Sequence, residues 1–132
     1  MDISIHDNHL ISYCVLSNAK EIHLHTSFRH LGTPEYTDVV FTDVVAYQFE
    51  YDSFGTILFD IVEVDPASIY NGDKARFLDG AKYGWPGPWR NDEQALDYLS
   101  QHGVKGFELQ SSCGMSGWVL AQSMSKTAVS AY

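Results

Sequence analysis

The sequence predicts an α+β fold: a mostly antiparallel sheet of about six strands with one main helix, residues 91–102, packed against it. Three observations carry this. Aromatic residues make up 14% of the chain, as eight Tyr, seven Phe and three Trp, and these side chains favour strands. Several runs alternate apolar and polar residues with the period of two that strands require. One segment alone carries complete helix-boundary signals. At 132 residues the chain has the size of one domain with one main core, so a single domain over 1–132 is expected, with an unanchored, flexible tail over 125–132.

Taken in order, Leu10–Leu16 and Glu21–Phe28 read as two strands joined by the turn Asn18-Ala19-Lys20. In the second, Ile22, Leu24, Thr26 and Phe28 share one face, and Glu21, His23, His25 and Ser27 the other. Gly32 and Pro34 predict a loop from Arg29 to Thr37. Val39–Tyr51 is the strongest strand signal, with Val45, Tyr47, Phe49 and Tyr51 alternating and Asp43 marking a bulge or bend. The turn Asp52-Ser53-Phe54-Gly55 and the strand Thr56–Val64 predict a long hairpin, in which Ile57, Phe59 and Ile61 continue the core face. Asp65 then caps a helical turn with Pro66 at its first position, and Lys74–Lys82 suits another. Trp85-Pro86-Gly87-Pro88-Trp89 excludes a helix interior. Asn91–His102 is the helix with full signals: Asn91 as cap, Gln94 three residues on, Asp92 and Glu93 at the positive end of the dipole, Gly103 as stop. Two strands follow, Lys105–Gln110 and Trp118–Ser123, with a glycine-bearing connection long for a tight hairpin.

The net charge of -9 is unevenly placed. Between Arg29 and Lys74 there is no Lys or Arg, while Glu35, Asp38, Asp43, Glu50, Asp52, Asp60, Glu63, Asp65 and Asp73 fall there, and the remainder is neutral. Such a field repels nucleic acid and anionic lipid and attracts basic proteins, though acidic surfaces also serve solubility. No run approaches the ~20 apolar residues of a membrane span, and MDISIHDNHL lacks the basic and apolar regions of a signal peptide, so a cytoplasmic protein is expected. Cys14 and Cys113 are too few for a disulfide scaffold or a thiolate zinc site, and leave one disulfide between them open.

Four groups invite chemistry. His23 and His25, with His6, His9 and His30 near in sequence, have a spacing that suits a metal, but exposed strand-face histidines are the commoner case. Asp60 and Glu63, with Glu50 across the expected hairpin, suit paired-carboxylate work or, more simply, a solvated face. Ser111–Trp118 fails the Gly-x-Ser-x-Gly pattern because position 118 is Trp, and Cys113 becomes a nucleophile only beside a histidine such as His102. Trp85 and Trp89 serve either as stiffened interface anchors or as a cover over the core. No phosphate-cradling motif is present. No catalytic residue, metal or cofactor is assigned.

The runs VVFTDVVAYQFEYDSFGTILFDIVEV and GVKGFELQSSCGMSGWVLAQSM resemble small uncharacterised bacterial proteins, and the overall type is similar to immunity proteins of contact-dependent or polymorphic toxin systems. That resemblance implies a cytoplasmic protein that binds and blocks a cognate toxin. The expected function is therefore non-enzymatic capture of a basic partner. The expected binding residues are Glu35, Asp38, Asp43, Glu50, Asp52, Asp60, Glu63 and Asp65 for attraction, with Tyr47, Tyr51, Trp85 and Trp89 as anchors. The rivals are a small hydrolase using a metal or Cys113, and a structural subunit of a homo-oligomer.

Overall fold

A computed structural model describes residues 3–30 and 32–132, with His30 described for its backbone alone. The elements in chain order are β1 (His9–Leu16), β2 (Glu21–His30), β3 (Thr33–Glu50), β4 (Ile57–Val64), α1 (Pro66–Gly72), α2 (Lys74–Ala81), α3 (Asp92–Gln101), β5 (Lys105–Cys113) and β6 (Ser116–Val129). The strands close into an antiparallel barrel in the order β1-β2-β3-β6-β5-β4. It is built from two three-stranded meanders, β1-β2-β3 and β4-β5-β6, joined where β3 meets β6 and where β4 meets β1. The mostly antiparallel six-stranded sheet is thus present. Three helices, rather than one main helix, stand between β4 and β5 among the described residues.

The largest correction concerns the expected hairpin of residues 39–64. β3 pairs with β2 and β6, β4 pairs with β5 and β1, and the two never pair with each other. β6 runs beside β3 from Tyr36↔Val129 to Glu50↔Ser116, and β2 takes its other edge from Thr33 to Phe41. The chain therefore crosses from one strand to the other through Tyr51–Thr56, with Tyr51 at φ 59. Alternation reports which face a residue occupies and is silent about the neighbouring strand. The expected loop at 29–37 is likewise mostly strand, since β3 begins at Thr33. Residues 125–129, expected in an unanchored tail, pair with Tyr36–Val40 as the end of β6. Beyond them the Tyr132 hydroxyl accepts from Thr26 N at 2.9 Å and lies within donating distance of Thr26 O and Thr37 O.

Two cores share the barrel wall. Ile22, Leu24, Val39, Phe41, Leu58, Ile61, Phe107, Leu109 and Val119 fill the interior with Ile5 of the N-terminal segment. On the outside, Ala46 and Leu120 of the wall pack against Ile69, Tyr70, Phe77, Ala95 and Leu99 of the helices. Val119, Leu120 and Ala121 in β6 are all fully buried because β6 is covered on both faces. In β4 a register shift between Leu58 and Asp60 resets the alternation, so Leu58 and Ile61 are buried while Phe59, expected on the core face, is exposed.

The helices follow their expected signals. Asp65 Oδ1 accepts from Ala67 N at 2.9 Å with Pro66 in the first turn of α1. Asn91 Oδ1 accepts from Gln94 N at 2.9 Å, and Gln94 Oε1 accepts in return from Arg90 N, one residue before the cap. Gly103, at φ 62, lets Val104 N reach back to Leu99 O.

Candidate functional site

Asp43 sets the site. It adopts φ 52 at the point where the β3 register shifts between Val44 and Ala46, and Val44 N donates to Lys20 O at 2.9 Å. The bulge turns the second half of β3 so that Tyr47 and Phe49 face β1. Their rings lie 5.2 Å apart, and Phe49 meets Tyr13 edge-on at 5.6 Å. Opposite them, α2 presents Arg76 and Asp79, and half-buried Trp85 stacks on Phe77 at 5.3 Å and 16°. A cleft of about 630 Å³ opens between these walls, with Asp52 at one end.

Asp52 lies in the crossing from β3 to β4. Its Oδ2 accepts from the Tyr13 hydroxyl at 2.6 Å. Donation to that carboxylate, aided by burial, pushes the Tyr13 phenol up to about 12. Arg76 is committed elsewhere, to Asp73 at 3.4 Å and Glu50 at 3.7 Å, and Lys82 stands 3.6 Å from Asp79. Asp52 has no ion-pair partner among the described residues. A second cleft of about 710 Å³, between Leu10–Tyr13 and Asp52–Gly55, shares Tyr13 and Asp52 with the first. Ile11 and Phe54 stand open at its rim, 53% and 108% exposed.

Of the expected binding residues, the structure gathers Tyr47, Trp85, Asp52 and, through Arg76, Glu50; exposed Tyr51 lies next to Asp52. The rest are dispersed. β3 and β4 are three strands apart in either direction round the barrel, so Glu35 and Asp38 lie on the wall opposite Asp60 and Glu63. Asp38 accepts from the His25 ring at 2.9 Å, Asp65 caps α1, and Asp43 occupies the bulge. Glu50 pairs with Ser116, not with β4. Glu63 shares a small cleft with Lys105 and Lys126. Trp89 is only 4% exposed within the helix core, so its ring covers that core and is not presented to a partner.

The catalytic constellations are not assembled. His23 and His25 hold separate carboxylates, Glu21 at 2.8 Å and Asp38 at 2.9 Å, on β2, which does not pair with β4. Among the described residues no group of three or more His, Cys, Asp or Glu is placed to hold a metal; the His30 side chain lies outside them. Cys113 and His102 sit near opposite ends of β5, roughly 25 Å apart at strand rise. Both cysteines are free thiols. No described helix is long and apolar enough to cross a membrane.

Sequence reading missed Tyr13, Phe49 and Asp79, which reach the cleft only through the bulge and the placement of α2. Ile11 and Phe54 did leave a signal. Phe54 is an aromatic in an otherwise polar turn, and His9–Leu16 carries no Asp, Glu, Lys, Arg or Pro. The fold and cleft define a six-stranded barrel with a helical insertion beside an aromatic, acid-ended groove. Compared with protein-family models, curated proteins and solved structures, the chain finds no match in any of the three.

Proposed function

We propose that this chain is a non-enzymatic protein-binding domain that captures a basic partner at the Tyr47–Asp52–Trp85 cleft and blocks it by occupying it, as an immunity protein does with a toxin. One observation carries the reading. Aromatic surfaces flank a carboxylate that has no cation of its own, so a Lys or Arg placed there gains a charge-assisted hydrogen bond while its stem packs on Tyr47 and Trp85. Both rings are partly held in place, Tyr47 by Phe49 and Trp85 by Phe77, so little side-chain entropy is lost on docking. The dispersed acids contribute through the summed field rather than by contact.

The test is co-purification with the products of neighbouring genes, followed by calorimetry on any complex. Affinity should fall with salt, and Tyr47→Ala, Trp85→Ala and Asp52→Asn should each weaken it, by about 1–3 kcal/mol for an anchor. A partner bound with equal strength by all three variants would refute this site.

A further inference from the structure

The groove has a backbone as well as side chains. β1 runs beside β2 from His9↔Ser27 to Leu16↔Glu21, but meets β4 only at His9↔Ile57, with Leu10 N donating to Thr56 O. From Ile11 to Leu16 its other edge has no strand beside it among the described residues. The two clefts lie along this edge, one beside Leu10–Tyr13 and the other beside Tyr13 and Val15. Natural sheets blunt an open edge with Lys, Pro or inward charge. Apart from a bulge at Ile11, β1 carries none of these, and Ile11, Val15 and Leu16 are exposed.

We propose that the edge Ile11–Leu16 is a strand-addition site that takes an extended basic segment of a partner protein. This deepens the binding reading above and rests on it. The added strand would bond to the outward N–H and C=O groups of β1. Its side chains on one face would meet Tyr13, Val15 and Phe49, and a Lys or Arg would reach Asp52. Charge selects this occupant over a second copy of the chain. Self-pairing through β1 would bring two Asp52 carboxylates, on chains of -9 each, to one interface, whereas a basic strand relieves that charge.

The full chain is titrated with a short peptide of alternating lysine and valine, and with versions N-methylated at every second residue in either frame, which keep charge and side chains but cannot extend the ladder. Binding is followed by Trp85 fluorescence, using Trp85→Phe to assign it, and by amide hydrogen exchange. The unmodified peptide should bind and slow exchange at alternate residues of Ile11–Leu16. One methylated frame should bind about tenfold or more weakly, and Asp52→Asn several-fold more weakly. Equal binding of all peptides, or no added protection in β1, overturns the proposal. Protection of β1 that grows with protein concentration alone also overturns it, because a second copy then occupies the edge. A partner sensitive to Tyr47→Ala and Asp52→Asn that leaves β1 exchange unchanged removes strand addition but keeps the binding site. A partner insensitive to both removes the site as well.

Discussion

Gly117 sits at φ 152 where β6 passes β3, and a Cβ there would overlap Gln48 O and lie 3.0 Å from Phe49 Cα. Because Phe49 also lines the cleft, Gly117→Ala should cost about 1–3 kcal/mol of stability by overpacking and displace the ring against which Tyr13 rests. Urea unfolding, with the Tyr13 ring shifts as a local readout, checks both effects. The tyrosines give a pH prediction. Tyr13 is pushed up to about 12 by its bond to Asp52, and Tyr70 to about 12 by burial and then by its bond to Asp92. Folded phenols that ionise later than unfolded ones stabilise the protein fully below about pH 10, and that stabilisation is lost as pH rises towards 12. The urea midpoint should therefore fall between about pH 9 and 11.5, and less steeply in Tyr13→Phe/Tyr70→Phe. An unchanged slope in the double variant would show that the alkaline loss arises elsewhere.

At the scale of elements, what could be read depended on the range of the interactions. Caps are local: Asp65, Asn91 and Gln94 announced α1 and α3 because each bonds within four residues. The Asp43 bulge was equally visible as a charged residue interrupting an apolar run. Pairing was not, since β3 meets β6 across some eighty residues of chain and its alternation is the same whichever strand lies alongside. The cleft needs this non-local pairing and the seating of α2, so the sequence points only to Tyr47, Asp52 and Trp85 of its lining, with Glu50 beside it through Arg76, and Trp89 goes to the core. That seating rests on Phe77, which has 0% exposure and stacks between Trp85 and Trp118. Phe77→Ala should cost about 3–5 kcal/mol and release Trp85, red-shifting its emission and weakening partner binding. Asn91→Ala should cost only about 1 kcal/mol, because the cap of α3 is exposed, and should leave binding unchanged, because Asn91 does not line the cleft. Equal effects of the two on binding would mean that the helices act as one unit and that Phe77 has no particular hold on the site.

Over the whole molecule the acids form a field rather than a patch. Closure of the barrel sends β3 and β4 to opposite walls, so their acids act on a cation through the summed field, whereas Asp52 at the cleft has no ion-pair partner among the described residues. Long-range and contact electrostatics should therefore separate in the kinetics. Exposed charges are screened within about 10 Å at 0.1 M salt, so raising salt should slow association with a basic partner and change dissociation little. Asp52→Asn should do the reverse, since it removes a hydrogen-bonded carboxylate at the interface and leaves most of the field in place, so that the complex dissociates faster. Neutralising Asp60 and Glu63 together, on the far wall, should slow association slightly and leave dissociation unchanged. Stopped-flow measurement of both rates across salt concentrations tests all three. If Asp52→Asn and the β4 double variant alter the same rate constant to the same extent, Asp52 contributes only its share of the field, and the cleft is not where the partner's cation is held.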